Sequence, residues 1–232
     1  MGLFRQSVKS LLTGCVPRGL LLTRGAATAA HGVPRLALTF DDGPDPAYTP
    51  VVLDLLQTAG LRATFFVVGR QAESFPALIR RMHDEGHEVG NHTWSHGPPS
   101  ETSPKVFLDE VRRTDELIAQ LTDASPQCMR PPKGELNIRK LLGLWRLRKT
   151  VALWNVDPRD YLMSKSHEIA DWCSRYRPQN GDILLFHDNH PFAIDAITIM
   201  RSRGDFERFQ AATVSDLIRQ PLPNKRELSP VT

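Results

Sequence analysis

The sequence predicts an α/β fold of parallel strands, arranged as an incomplete or distorted α/β barrel, with a doubly wound open sheet as the alternative. Three observations point there. From residue 35 onward, short apolar runs alternate with helical patterns, as parallel βα units require. Seven such runs fit within about 180 residues, enough for one barrel-like domain with a sizeable core. The conspicuous polar clusters stand at the ends of these runs, where α/β folds gather their functional groups.

The strands are expected at Arg35–Phe40, Ala63–Val68, His87–Asn91, Gln127–Arg130, Thr150–Val156, Asp182–His187 and Gln210–Val214. Helical patterns occupy Thr49–Ala59, Ser74–Glu85, Ser103–Leu121, Asn137–Leu147, His167–Tyr176 and Ala193–Arg203. Gly60 and Gly86 stand where left-handed helix ends are expected. Ser103 followed by Pro104 suits an N-cap with proline in the first turn. In the long helix, Val106, Leu108, Val111, Leu117, Ile118 and Leu121 form the expected apolar stripe.

Composition narrows the function classes. A net charge of +3 with scattered basic residues and few aromatics gives no electrostatic case for nucleic-acid binding. Cys15, Cys128 and Cys173 are odd in number and widely spaced, so they make neither a disulfide framework nor a CxxC metal site. Residues 1–34 read as a basic amphipathic segment that packs on the domain or lies against a membrane surface. Leu12-Thr13-Gly14-Cys15 imitates a lipoprotein cleavage box, but Lys9, Arg18 and Arg24 interrupt the ~7–15 apolar residues that a secretory signal needs. No transmembrane segment is present, and a cytoplasmic or membrane-peripheral location is expected. The domain is placed at 35–220, with 221–232 as a flexible tail. Oligomeric state is not readable.

The first polar cluster is Thr39-Phe40-Asp41-Asp42-Gly43-Pro44. Successive strand residues face opposite sides, so adjacent carboxylates share a site only where the backbone turns. One can then hold a cation while its neighbour stays free as a base. After the third strand, His92 and His96 in His92-Thr93-Trp94-Ser95-His96 are spaced to share one face of a helical turn and one metal. With Asp42 they make a two-histidine, one-carboxylate set that leaves positions open for water and substrate. Arg130-Pro131-Pro132-Lys133-Gly134 reads as a rigid loop able to hold a guanidinium against a carboxylate. A charged run, Asp157-Pro158-Arg159-Asp160-Tyr161, follows the fifth strand. The sixth ends in His187, followed by Asp188, Asn189 and His190. A strand-end histidine near carboxylates suits a general acid.

Taken together, these segments over about residues 35–217 resemble the polysaccharide deacetylase family, carbohydrate esterase family 4, with its NodB homology domain. The resemblance implies a distorted (β/α)7 barrel and a metal-dependent hydrolase that removes acetyl groups from N-acetylated amino sugars of a bacterial glycan. It implies Asp42, His92 and His96 as ligands of a divalent metal, usually zinc, with cobalt as a substitute. By motif position Asp41 is the general base paired with Arg130, and His187 is the general acid oriented by Asp160, with Asp157 as the fallback. The Lys133 amide would donate to the oxyanion, and Pro132, Tyr161 and Leu185 would line the substrate side. Two positions depart from the pattern: Lys133 stands where tyrosine is common, and Tyr161 replaces tryptophan. Both bear on the substrate, and Lys133 favours an acidic glycan or a phosphate-bearing lipid-linked sugar. O-deacetylation or deformylation of a lipid-linked sugar, or a silent glycan-binding module, are the competing readings.

Overall fold

The computed structural model of the chain describes residues 17, 19–25 and 33–218. Most of the expected N-terminal amphipathic segment, Cys15 and the tail 221–232 lie outside the described residues. The sheet is built around β2 (Arg35–Asp41), whose residues from Leu36 onward are all buried. Such a run, apolar on both faces, is what a parallel strand covered on both sides needs. On one side β2 pairs with β3 (Thr64–Val67), followed by β4 (Glu88–Asn91), β5 (Cys128–Met129), β6 (Thr150–Ala152) and β1 (Leu21–Leu22). On the other it pairs with β7 (Asp182–His187), and β8 (Gln210–Ala211) joins its N-terminal end. All pairings are parallel.

The sheet curls until its ends meet. Val156, just past β6, bridges to Leu184 on β7, with the Leu185 amide donating to the Val156 carbonyl at 2.9 Å. Asn155 secures the junction: its side chain accepts from the Ile183 amide and donates to Asp182, each at 2.8 Å. The expected strand Thr150–Val156 is therefore divided, its first part pairing with β5 and its end closing the ring on β7.

Alternation along β2 separates two layers. Leu36, Leu38 and Phe40 pack outward beneath α1 (Thr49–Ala59), α3 (Pro76–Asp84), α6 (Ser166–Arg175) and α7 (Phe192–Ser202). Ala37 packs inward with Phe66, Cys128, Ala152 and Ile183. Each large side chain buried this way contributes about 1.5–3 kcal/mol. The interior accommodates Phe66 because β4 carries Gly90 beside it, where a Cβ would lie 2.7 Å from the ring. Cys128 and Cys173 are free, buried thiols.

The helix ends follow one rule. After α1, Gly60 at φ 64° and the Leu61-to-Leu56 bond (2.9 Å) end the helix in a Schellman turn. Gly86 (φ 80°) does the same after α3, through His87 and Met82. After α5 (Ile138–Arg146) the left-handed residue is Arg148, a position that sequence does not flag. Ser103 caps α4 (Pro104–Thr122) by accepting from the Val106 amide.

Four expectations shift. The helix placed at Ser74–Glu85 is two, α2 (Gly69–Ser74) and α3, broken at Phe75 because Pro76 lacks an amide and restricts the residue before it. In α4 the buried face runs through Phe107, Val111, Thr114 and Ile118, leaving Val106 about half exposed. The last expected strand shortens to β8, and Val214 begins a helix, α9 (Val214–Ile218), after α8 (Asp205–Arg208). The reciprocal bonds between Thr213 and Asp216 form a capping box whose T-x-x-D pattern is visible in sequence. Finally, Leu21–Leu22, ahead of the expected domain start, extend the sheet at β6. Among the described residues, no helix is long and apolar enough to cross a membrane.

Candidate active site

Parallel register brings the functional groups to one end. Asp41 is the register partner of His187 across β2 and β7. His92 and Arg130 follow the last residues of β4 and β5. Asp42, Thr93, His96, Lys133 and Arg159 all have positive φ, between 54° and 75°. Each such non-glycine residue is unfavourable, and such strain gathers where a fold must aim side chains.

Asp41 is 4% exposed, and its Oδ1 accepts from Arg130 Nη1 at 2.8 Å. The Arg130 guanidinium has no solvent exposure, and its remaining donors reach Thr39 Oγ1 and the Ala152 and Leu153 carbonyls at 2.8–3.2 Å. It also stacks on Phe66, 4.2 Å from the ring centre. Leaving either partner of such a buried pair uncompensated costs about 3–5 kcal/mol. Nothing in the motif singles out Thr39, although it lies two residues before Asp41 on the same strand face.

Asp42, His92 and His96 converge. Asp42 Oδ1 is 3.4 Å from His92 Nε2 and 3.2 Å from His96 Nε2. His92 Nδ1 donates to the Arg130 carbonyl at 2.7 Å, which fixes the tautomer and leaves the Nε2 lone pair toward Asp42. Burial, the largest cause, lowers the His96 pKa and favours its neutral, ligating form. Burial tends to raise the Asp42 carboxyl, but His92, His96 and His187 outweigh it and pull it down to about 2. Asp42 Oδ1 is buried without a hydrogen-bond partner among the described residues. An orphaned carboxylate oxygen facing two imidazole nitrogens at these separations is the donor set of a small divalent cation. The expected helical turn is absent: residues 92–96 form a loop, and left-handed backbone at Thr93 and His96 brings the two rings to 4.9 Å. Asn91 holds the first of these turns by accepting from the Thr93 amide at 2.7 Å.

On the opposite wall, Asp160 is fully buried and accepts from His187 Nδ1 through Oδ1 and from the His187 amide through Oδ2, both at 2.8 Å. Burial alone would lower the His187 pKa. The bond and charge of Asp160, with Asp41 and Asp42, more than reverse this and raise it to about 9. Asp157 instead accepts from the Arg159 amide, so the fallback carboxylate is occupied in its own turn. The Tyr161 ring meets His187 edge-on at 5.2 Å and is half exposed, while Leu185 is buried on β7. Pro132 is buried, Lys133 is exposed, and the turn bonds of this loop are made by the Gly134 and Glu135 amides. Behind the aspartate turn, the buried Asp188 carboxyl accepts from Thr49 Oγ1 and fills the space where a Gly43 Cβ would fall.

A family model described as polysaccharide deacetylase matches residues 29–149. The chain belongs to the polysaccharide deacetylase family. It is 37% identical over 186 residues to the peptidoglycan-N-acetylmuramic acid deacetylase PdaC of Bacillus subtilis, covering 78% of this chain and 38% of that protein. It is 40% identical over 162 residues to a chitooligosaccharide deacetylase of Bradyrhizobium sp., covering 69% and 73%. The solved structure of peptidoglycan deacetylase PdaC from Bacillus subtilis aligns with a TM-score of 0.74 at 35% identity, over 80% of this chain and 90% of that one. That of a peptidoglycan N-acetylglucosamine deacetylase reaches 0.79 at 27% identity, over 87% and 94%. The fold is thus the α/β NodB fold of the family. The chain spans 38% to 50% of the length of the first three curated relatives it matches.

Proposed function

We propose that this chain is a metal-dependent hydrolase that removes acetyl groups from N-acetylated amino sugars of a bacterial glycan, with the sheet domain, Leu21–Leu22 included, as the catalytic unit. One observation carries the reading: a buried carboxylate clamped by arginine, a three-donor cluster and a histidine–aspartate pair meet at one end of the barrel. Asp42, His92 and His96 would hold the cation, zinc or cobalt by the chemistry of the donor set, and it would polarise the acyl carbonyl and acidify the attacking water.

The chain's own groups account for the proton transfers. Arg130 occupies Asp41 Oδ1, so Oδ2 remains to take the proton of the attacking water. His187 keeps its Nδ1 proton on Asp160 and has Nε2 4.0 Å from Asp42 Oδ2, on the metal side. Its raised pKa keeps it charged near neutrality, so Nε2 delivers the proton to the departing amine. The Lys133 amide, outside the turn bonds of its loop, serves as the oxyanion donor, a role worth about 3–4 kcal/mol in comparable sites. Pro132, Leu185 and Tyr161 line the acetyl side.

Substrate choice falls to the altered rim. Lys133 is exposed and places a cation where the family commonly has an aromatic ring, which favours an acidic glycan such as a carboxylate-bearing peptidoglycan sugar. The test is acetate release by the zinc-loaded full chain from peptidoglycan, acidic exopolysaccharide fragments and chitooligosaccharides. Acetate from N-acetylated glycans is expected, with Lys133→Tyr shifting preference toward the neutral ones. No acetate from any of them would overturn the reading, and an unchanged preference in Lys133→Tyr would overturn the role of Lys133.

A further inference from the structure

His190 has no role in the chemistry above, yet its environment is the most incomplete of any imidazole in the barrel mouth. Both of its ring nitrogens are buried and lack a hydrogen-bond partner among the described residues. Leaving such a group unpaired is unfavourable. Its Nε2 lies 3.6 Å from Asp160 Oδ2, too far for a hydrogen bond. The ring centre is 5.9 Å from that of His187. Asp160, His187 and His190 each offer a donor atom, and the three atoms lie within 4.8 Å of one another. The 3.6 Å separation is close to the 3.2 and 3.4 Å donor separations in the Asp42, His92 and His96 cluster.

The placement is built by the fold. β7 ends at His187, and the turn before α7 returns His190 over the same carboxylate. Asp160 arrives from the turn after β6 and is fixed by the His187 and Tyr161 amides at 2.8 and 3.0 Å. Two imidazoles and one carboxylate are again the ligand types that zinc-like cations select.

We propose that Asp160, His187 and His190 form a second divalent-cation site, weaker than the first, whose occupation inhibits the enzyme by capturing His187. Binding takes the lone pair of His187 Nδ1, the nitrogen beside Asp160, so the imidazolium releases its Nδ1 proton to solvent, and the neutral ring that results holds its remaining Nε2 proton too tightly to give it to the departing amine. The site is weaker because this proton must leave and because Asp160 is already shared with two backbone amides. The inhibitory part rests on the deacetylase reading; the existence of the site does not.

The experiment is a calorimetric zinc titration of the metal-free full chain, wild type and His190→Gln, with His190→Ala as a second variant and circular dichroism reporting the fold. The wild type should bind one equivalent tightly and a second more weakly, and both variants should lose the second while keeping the first. In parallel, acetate release by the wild type should fall as zinc exceeds one equivalent. The folded His190 variants should match the wild-type rate at one equivalent and resist excess zinc. One equivalent in the wild type, or a second equivalent retained by both folded variants, would overturn the site. Loss of the second equivalent with inhibition by excess zinc unchanged would overturn the regulatory role. If no acetate is released at all, the stoichiometry still decides the site, so failure of the deacetylase reading is recognised separately.

Discussion

His187 is charged near neutrality because of its neighbours, with Asp160 foremost. Burial alone would push the imidazole down; the bond and charge of Asp160, with Asp41 and Asp42, bring it to about 9. In its proposed role as general acid His187 works only while protonated, so activity should be lost as pH rises through that value. Asp160→Asn removes the largest favourable contribution. The basic limb of the kcat profile should then move to lower pH while the acidic limb stays in place. The same pair contributes to stability fully below the unfolded histidine pKa of about 6.5, and that contribution is lost as pH rises through about 9. Asp188 acts in the same direction over a lower pH range. Burial raises its carboxyl to about 7, so the unfolded chain releases this proton first and the folded state weakens as pH climbs from about 4 to 7. Asp188→Asn should therefore raise Tm at pH 8 and leave it nearly unchanged at pH 4, read by thermal melts at the two pH values. The roles of Asp41 and Arg130 are those the family resemblance implies by motif position, while Asp42, His92 and His96 are legible as a possible metal set from their residue types at strand ends. The Asp188 contact with Thr49 spans 139 residues and leaves no local trace.

At the scale of elements, sequence located helices by their period and caps, and its misses have local causes. Thr49–Ala59 begins and ends where its pattern and Gly60 place it. The His92–His96 spacing misled because a loop and a helical turn can bring the same two positions together, and positive φ at Thr93 and His96 is not written in those residue types. Arg148 adopts the cap geometry of Gly60 and Gly86 without the glycine that advertises it. Glycine matters most inside the barrel. At Gly90 an added Cβ meets the Phe66 ring, and that ring lies against Arg130. Gly90→Ala should cost about 1–3 kcal/mol in urea unfolding, the usual range for overpacking. It should also lower acetate release, since the displaced ring supports the guanidinium that holds Asp41. By contrast, Ser103→Ala should cost about 1 kcal/mol through the lost α4 cap and leave turnover unchanged, since the cap is remote from the chemistry.

For the whole molecule, the alternation of strands and helices was legible because parallel units bury strands on both faces and need helices to cover them. How the ring closes was not. Closure involves the bridge between Val156 and Leu184, the Asn155 side chain and backbone bonds such as Gly25 to Gly181, long-range contacts that no periodicity encodes. Nor did sequence place Leu21–Leu22 in the sheet, because a two-residue strand between basic residues carries no pattern. What the closed ring achieves is the convergence of groups from β2, β4, β5, β7 and the turn after β6 on one mouth. Asp41 is proposed as the base beside a metal held by Asp42, His92 and His96. The most direct measurement pairs zinc content with acetate release for wild type and Asp41→Asn. Retained tight zinc with acetate release reduced by about 10²–10⁴-fold is the predicted result. Zinc-loaded Asp41→Asn releasing acetate at the wild-type rate would contradict it.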